Sequence, residues 1–538
     1  MKTKKAMKKI THIGMAALVA MGMLGTSCNK AESLEIETPE TQKENIVTLT
    51  TTVGFAADDT KALTGTGVKT FAYGETMAVI YNNGTSTVKA VSHALEVSDI
   101  TDGGKKATFT FDLETPNKLE NVTYIYPAAM ANDNGTVNYA ALNSQDGTLT
   151  SLAANLDYCT KSGAWDGENL PTLTLENQLA ILAITLKDEA GTSEITGSTT
   201  KLTVSDGTNT YNVSRSAADG PIYVAIRPTS DATIDITATS DSKGYYKILT
   251  TPKSYTASNG YSVSWKMTQG AILSKLTAAY TAQNGDKLTG TLGSNVKISI
   301  ADGATVTLNN VTINGTNNSS YEWAGITCLG DATIILSGTN TVKGFYKDYP
   351  GIQAAAGKTL TINGTGSLTA SSNGYSAGIG AGSKISCGNI EIQGGTITAT
   401  GGERGAGIGG AYNAGCGNIT ISGGKVKATG GEYGAGIGGG RRFTANVSCG
   451  NILISGGTVD ATGGQEAAGI GGGRGHNSGY KSSCGTITIT TGVTEVTATK
   501  GTDAPNSIGA GYLGTCGTVT IGGATGAITT SPYTYPAE

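Results

Sequence analysis

The glycines of residues 434–440, GAGIGGG, have the spacing G-x-G-x-x-G, which could bind the phosphates of a dinucleotide. That chemistry requires a strand before the motif, a helix after it and an acidic residue about 20 positions further on. Related segments recur at residues 376–382, 405–411 and 467–473. A nucleotide motif is used once per binding domain, whereas a recurring motif belongs to a repeat architecture. We therefore interpret these glycines as structural and predict no cofactor.

The residues needed for most hydrolytic or metal chemistry are scarce. Only His93 and His476 follow the N-terminal region, which argues against His-based metal sites and Ser-His-Asp catalysis. The acidic residues after position 300 are scattered and form no paired motif of the kind that polysaccharide-cleaving enzymes use. We predict a non-catalytic protein without a metal, and keep a polysaccharide-active enzyme as an alternative.

Five cysteines recur with the repeat, 29 to 35 residues apart: Cys387, Cys416, Cys449, Cys484 and Cys516. Without a C-x-x-C pair or an adjacent histidine they do not match a zinc or iron–sulfur site. Equivalent positions in stacked coils lie about 4.8 Å apart, which is slightly too far between Cβ atoms for relaxed disulfides. We expect a ladder of buried thiols, with disulfides as the alternative.

Loops beside the glycine segments contain the side chains best suited to binding. The candidate glycan-binding residues are Tyr412, Arg441, Arg442, Phe443, Arg474, His476, Tyr480 and Tyr512. A second set precedes the segments and includes Tyr375, Glu403, Arg404, Glu432, Tyr433 and Glu466. Tyrosine rings beside arginine forks would suit sugars that carry carboxylate or sulfate. The alternative is that these are solvated loop residues whose tyrosines cover apolar corners.

The elements that position these loops are strands. Gly accounts for 79 of 538 residues and charged residues for only 14%, a composition that favours strands and tight turns over helices. Three units align closely, at residues 387–400, 416–429 and 449–462, each with two alternating strands around a Gly-Gly corner. Such a unit buries its apolar side only when copies stack. We predict an all-β chain whose residues 269–538 form a parallel β-helix of roughly eight or nine coils, with the loops on one edge.

The pattern of this repeat region is also similar to β-helical carbohydrate-binding domains of gut bacterial surface proteins. That resemblance implies a carbohydrate ligand.

Residues 46–268 contain short alternating strands without a repeat, which predicts a β-sandwich. Five segments in order carry a resemblance: residues 71–81 (FAYGETMAVIY), 124–127 (YIYP), 173–182 (LTLENQLAIL), 222–228 (IYVAIRP) and 255–265. This order resembles the fimbrillin family, the β-sandwich lipoproteins and pilus subunits of Bacteroidales. The resemblance implies a fimbrillin-like β-sandwich that could contact fimbrial subunits.

Two departures argue against a polymerising shaft subunit. The family's shaft subunits are processed at a basic site near the N-terminus, usually an arginine. The first arginine here is Arg215, so only Lys43 or Lys61 could serve as the processing site. The sandwich is also followed by 270 residues, so its last strand does not end the chain. A fimbrial tip or anchor therefore remains as an alternative function.

The N-terminus is a targeting segment. Residues 1–27 contain five lysines followed by an apolar stretch. They are followed directly by Cys28, which completes the segment LGTSC at residues 24–28. This resembles the lipobox of Bacteroidetes lipoproteins and implies lipidation of Cys28; an ordinary signal peptide is the alternative. Residues 28–45 would be a flexible tether. The resemblance implies a lipid anchor in the outer membrane, facing the cell surface.

Loss of residues 1–27 leaves 32 basic and 41 acidic residues, a net charge of −9. No basic patch remains, which argues against nucleic acid as a partner. No other apolar run reaches membrane-spanning length, so the lipid would be the sole membrane attachment. We predict an adhesin or glycan-binding surface lipoprotein whose partners are glycans or ligands on host or other cells.

Overall fold

The computed structural model describes residues 46–536, apart from residues 56–69, 115–119, 157, 167, 198, 217–219, 242, 445–447 and 477–478. The predicted signal peptide, Cys28 and the tether lie outside the described residues. Strands dominate the rest; the described α-helix is Leu149–Asn155. Short 3-10 turns are Val97–Asp99, Asp102–Gly104, Ala128–Met130, Tyr139–Asn143 and Leu273–Lys275. No helix in the described part of the chain is both long and apolar enough to cross a membrane.

The first sheet has eight strands. In spatial order they are Thr87–Val91, Ala78–Asn82, Asn121–Tyr126, Cys159–Ala164, Thr174–Asn177, Ile46–Phe55, Lys106–Glu114 and Ile100–Thr101. One face buries Phe109, Phe111 and Tyr124 in a core of its own. Its pairs are antiparallel except Ile46–Phe55 with Thr174–Asn177.

A second core lies between two further sheets. One contains Ile222–Ile226, Ala180–Lys187 and Gly260–Lys266. The other contains, in order, Ser144–Gln145, Thr210–Ser216, Thr199–Ser205, Asp235–Ser240, Lys243–Ile248 and Thr268–Ile272. A short pair, Thr229–Ala232 with Lys253–Tyr255, completes the region. Strand Ala78–Asn82 contributes to both cores. It sends Ala78 and Ile80 into this core and Val79 and Tyr81 into the first, because successive side chains of a strand face opposite ways.

From Thr268–Ile272 onward the strands pair in parallel. Sheet A and sheet B of the solenoid share Lys287–Thr291 and the long strand Ala304–Asn314. Sheet A continues with Ala332–Ser337, Thr359–Gly364, Asn389–Ile392, Ile419–Ile421, Ile452–Ile454, Ile487–Ile489 and Val519–Ile521. Sheet B continues with Thr339–Lys343, Ser367–Ser371, Thr396–Thr400, Lys425–Thr429, Thr458–Thr462 and Glu495–Thr499.

Sheet C is formed by the glycine segments. Its nine strands are Tyr280–Ala282, Ile298–Ile300, Ile326–Cys328, Ile352–Gln353, Ile379–Gly380, Ile408–Gly409, Ile437–Gly438, Ile470–Gly471 and Ile508–Gly509. Ser483–Cys484 pairs with Thr515–Cys516. At the C-terminal end, Ala524–Thr525 and Tyr533–Tyr535 pair antiparallel with the last coils.

Identical residues stack in register through the solenoid. Ile390, Ile419, Ile452 and Ile487 are successive partners in sheet A, and all are at most 1% exposed. Because the apolar residues alternate with polar ones, each strand faces the core with one side only. The predicted all-β fold ending in a parallel β-helix is confirmed.

Asparagine side chains add hydrogen bonds between coils. Asn389 Oδ1 accepts from the backbone N–H of Asn418 at 2.9 Å, Asn418 Oδ1 from Asn451 at 2.9 Å, and Asn451 Oδ1 from Thr486 at 2.9 Å. These are the asparagines of the three CGN segments. They bond backbone donors at a corner, where regular strand pairing has stopped.

Candidate functional site

The candidate site is built on the sharp turn made by each glycine segment. In two successive coils, the Ala406 N–H donates to the Gly410 oxygen and the Ala435 N–H to the Gly439 oxygen, both at 2.9 Å. The chain therefore reverses around the central isoleucine. No helix follows GAGIGGG in the described residues, since the segment contains the two-residue strand Ile437–Gly438, so the surroundings required of a nucleotide motif are missing.

Because of this reversal, the residue four positions after one isoleucine lies next to the residue four positions before the isoleucine of the preceding coil. The later residue donates its N–H to the carbonyl of the earlier residue one coil back. These pairs are Ser383 with Asp348, Tyr412 with Tyr375, Arg441 with Arg404, Arg474 with Tyr433 and Tyr512 with Glu466, at 2.9–3.0 Å. We call the surface formed by these ten residues and the loops that carry them the loop edge.

Between its first sheet C strand and its C-terminal cap, the solenoid has its aromatic residues in loops. Between residues 281 and 532 there are eleven: Tyr321, Trp323, Phe345, Tyr346, Tyr349, Tyr375, Tyr412, Tyr433, Phe443, Tyr480 and Tyr512. All of them lie in the loops on either side of sheet C, and none lies in a strand of sheet A or sheet B. The solenoid interior is filled mainly by aliphatic residues, and Phe345 is the aromatic residue of this set that joins the buried core. The edge is thus chemically different from the strand faces.

Arg404 lies between two tyrosine rings. Its guanidinium carbon is 4.4 Å from the centre of the Tyr375 ring and 4.9 Å from that of Tyr412. Its Nε donates to Glu403 at 3.0 Å. Burial opposes the charged form, but the hydrogen bond and charge of Glu403 outweigh it and raise the pKa of Arg404. This guanidinium is held rigid and charged.

Arg441 has no ion pair among the described residues. Its guanidinium carbon lies 4.4 Å from the Tyr433 ring centre and 5.6 Å from that of Phe443. Burial, followed by repulsion from Arg404 and Arg474, lowers the pKa of Arg441. An anionic group placed here would relieve that repulsion.

Arg474 stacks on the same Tyr433 ring as Arg441. Its guanidinium lies 4.8 Å from the Tyr433 ring centre, and its Nε pairs with the Glu466 carboxylate. The Phe443 and His476 rings meet edge to face, with centres 4.3 Å apart. Tyr480 is partly exposed and accepts at its carbonyl from the His476 N–H at 2.8 Å, and Tyr512 is 40% exposed. These candidates therefore lie in neighbouring loops of one edge.

Arg442 departs from the expectation. Its side chain is fully buried, and its Nη1 donates to the Ala411 carbonyl at 3.4 Å. Nε and Nη2 have no partner among the described residues. Burial lowers the pKa of Arg442 to about 10. Its assignment to a ligand-binding surface is wrong for this structure, because the guanidinium points away from solvent.

Sequence reasoning missed the aromatics of the earlier coils. Tyr321 and Trp323 form a cluster with Phe345, and Lys347 Nζ lies 5.5 Å from the ring centres of both Tyr346 and Tyr375. The signal was available, because these residues lie three to seven positions before Ile326 and Ile352, in the segment that corresponds to the one containing Tyr375 before Ile379.

The cysteines form the predicted ladder, but not as five thiols. Cys416 and Cys449 form a disulfide, with Cα atoms 4.3 Å apart. The expectation of thiols throughout is therefore wrong. It assumed regular strand spacing, whereas an isolated parallel bridge pairs these two residues closely at a corner. Cys387 and Cys484 are buried thiols.

Comparison with protein families agrees with the solenoid part of this architecture. The Beta helix repeat family matches residues 360–383, 390–412, 419–441 and 452–474. No curated protein matches the chain. Among solved structures, a proposed cell adhesion protein from Bacteroides uniformis is 13% identical over 42% of this chain and 95% of its own, with a TM-score of 0.24. A similar protein from Bacteroides ovatus is 12% identical over 42% and 96%, with a TM-score of 0.25.

A third, from Parabacteroides distasonis, is 17% identical over 37% of this chain and 78% of its own, with a TM-score of 0.20. At these values the likeness carries no argument about function. The proposal below depends on the loop edge.

Proposed function

We propose that the protein is a non-catalytic adhesin whose loop edge binds acidic glycans. The observation that carries the proposal is that ten of the eleven aromatic residues between residues 281 and 532 are at least partly exposed in the loops beside sheet C, with three arginines stacked among them. Flat rings offer apolar faces to sugars, and arginine forks match the geometry of carboxylate and sulfate. A solenoid repeats such a surface along its length, which suits an extended polymer better than a small molecule.

The charges along the edge favour an acidic ligand over a neutral one. Glu403 and Glu466 pair with Arg404 and Arg474, whereas Arg441 between them pairs with no acidic side chain of the described residues. A carboxylate or sulfate on a sugar would supply a counter-charge. Guanidinium groups and phenols bind charge and stack against rings, but at neutral pH they do not accept a proton from an attacking water. The cluster is therefore suited to binding rather than bond cleavage.

A lipid anchor would place this edge outside the cell. The lipobox-like segment ending at Cys28 supports attachment of the chain to the outer membrane. Metabolic labelling with palmitate should mark the protein, and Cys28→Ser should abolish the label. Labelling of the serine variant would contradict the anchor.

The binding proposal is tested with the chain from residue 28 onward on an array that includes pectins and sulfated mucin glycans. Arg441→Ala should weaken binding of an acidic glycan by about tenfold or more, equivalent to one lost charge-assisted contact. The matched control is Lys427→Ala, which removes the same charge from the exposed face of strand Lys425–Thr429. Binding should also fall with added salt.

Absence of binding by the folded chain would contradict the proposal. So would equal losses in Arg441→Ala and Lys427→Ala, because these would indicate a general charge effect rather than a site at the loop edge.

A further inference from the structure

Two cysteines at the end of the ladder are placed for a reaction. Ser483–Cys484 and Thr515–Cys516 pair in parallel, with Cys484 directly opposite Cys516. Their Sγ atoms are 2.7 Å apart. Regular strand spacing argues against disulfides, but here the two side chains turn toward each other so that the sulfurs meet. The backbone therefore already holds both residues at bonding separation.

The pair lies in the same column as the Cys416–Cys449 disulfide. The Cys449 N–H donates to the Ser483 carbonyl at 3.0 Å, and the Gly485 N–H donates to the Cys449 carbonyl at 3.2 Å. One coil after another thus presents its cysteine at the same corner. Cys387, at the other end of the column, is the odd member, and its Sγ contacts a backbone carbonyl, that of Gly409, at 3.8 Å.

The two sulfurs differ in access and acidity. Cys484 is only 6% exposed, whereas Cys516 is partly exposed. A hydrogen bond from Cys484 lowers the pKa of Cys516, and the same hydrogen bond, with burial, raises that of Cys484. Burial raises the pKa of Cys387 to about 12. Since the thiolate is the attacking species, Cys516 is the first of the three to react.

We propose that Cys484 and Cys516 are a site of disulfide exchange that closes a second cross-link in the solenoid. The oxidant is a small-molecule or protein disulfide. The Cys516 thiolate attacks one sulfur of the oxidant, forming a mixed disulfide and releasing one thiolate. The Cys484 thiol then loses its proton and attacks Cys516 Sγ, releasing the second thiolate. The protein loses two electrons, and the oxidant becomes two thiols.

The bond would link the last two coils, next to the C-terminal cap. Strands Ala524–Thr525 and Tyr533–Tyr535 close this end of sheets A and B, and the outermost coil has a neighbour on one side only. Terminal units of repeat proteins fray most readily. A cross-link here therefore opposes unfolding where it starts.

The test treats the folded chain with oxidised glutathione, blocks free thiols by alkylation and maps the peptides without reduction. We expect a linked pair of peptides containing Cys484 and Cys516, beside the pair containing Cys416 and Cys449, with Cys387 alkylated only after denaturation. Alkylation of both Cys484 and Cys516, or a link from Cys484 to Cys449, would overturn the proposal.

Two variants test the order of the steps. Cys484→Ser should retain glutathione on Cys516, because the second attack is lost, whereas Cys516→Ser should leave Cys484 unmodified. Cys387→Ser is the control and should leave the new link intact. If a variant fails to fold, native-state alkylation of the unaltered reduced chain decides instead: Cys516 must react first, and faster reaction of Cys387 or Cys484 contradicts the mechanism.

Discussion

Adjacent arginines on the loop edge have opposite surroundings. Arg441 stacks on Tyr433 at the surface, whereas Arg442 is fully buried and makes one weak hydrogen bond to the described part of the chain. A buried charge without a partner is costly, and part of that cost appears as a lowered pKa. The two side chains therefore contribute to different properties: Arg441 to ligand binding and Arg442, unfavourably, to stability.

We predict that Arg442→Met stabilises the protein. The pKa of Arg442 falls from 12.5 to about 10 on folding, which corresponds to a cost of about 3 kcal/mol at neutral pH. The cost is fully present below pH 10 and is relieved as pH rises through that value, because the folded state then releases the proton first. The variant should gain about 1–3 kcal/mol.

Thermal unfolding at pH 7.5 and above pH 10 checks this prediction. The advantage of Arg442→Met over the unaltered protein should narrow at the higher pH. Arg441→Met, with its partly exposed side chain, is the control and should change stability little. A lower melting temperature for Arg442→Met at pH 7.5 would show that the buried guanidinium is compensated.

The sequence allowed the loop edge to be predicted, but not the direction of each side chain on it. The repeat fixes which residues flank an isoleucine, and hence that Tyr412 and Arg441 share an edge. After Arg441 the loops differ in length from coil to coil, so no periodicity assigns Arg442 to the inside. The Cys416–Cys449 disulfide was missed for a related reason, since it depends on a local approach closer than regular strand spacing.

At the scale of elements, the corners hold the coils in register as much as the strands do. The Asn389, Asn418 and Asn451 amides each accept a backbone N–H from the next coil. Glycines at the other corners allow successive backbones to approach closely; a Cβ on Gly431 would lie 1.8 Å from the Gly402 oxygen. The sequence showed both residue types as repeats, but only the structure shows which contacts require them.

Replacement of Asn418 tests the asparagine ladder. Asn418→Ala should leave the Asn451 N–H without its acceptor and cost about 1 kcal/mol locally. Hydrogen exchange of the peptide containing Asn451 should accelerate about fivefold, which is the rate factor that corresponds to a loss of about 1 kcal/mol. Asn418→Asp keeps an acceptor oxygen and should remain protected. Equal exchange in the alanine and aspartate variants would argue against a role for the side-chain carbonyl.

A pair of glycine substitutions tests close backbone packing. Gly431→Ala should destabilise the solenoid by about 3 kcal/mol, because its Cβ would collide with the backbone of the preceding coil and force a shift. Gly293→Ala is the matched control, since its nearest neighbours would be at 3.6 and 3.9 Å. Thermal unfolding should separate the two variants clearly. Similar melting temperatures would mean that the coils can adjust without cost.

At the scale of the molecule, the N-terminal sheets and the solenoid are joined by hydrogen bonds. Strand Thr268–Ile272 pairs antiparallel with Lys243–Ile248 on one side and parallel with Lys287–Thr291 on the other. Fully buried Asp286 reinforces this junction by accepting from Gln269 Nε2 at 2.7 Å and Tyr280 at 2.6 Å. The sequence pattern indicates that the repeat region begins near residue 269, but it does not indicate that one strand belongs to both parts.

Because one strand serves both sides, the junction should resist proteolysis. Trypsin should leave the chain uncut between Lys266 and Lys287 while it cleaves exposed loops elsewhere. Gly270→Ala should open the junction, since Gly270 has φ +128° and a Cβ there would lie 2.0 Å from the Lys287 oxygen. Cleavage at Lys275 should then release the N-terminal sheets from the solenoid, whereas Gly293→Ala should remain intact. Rapid cleavage of the unaltered chain at Lys275 would instead mean that the two parts are joined by a linker that trypsin can reach.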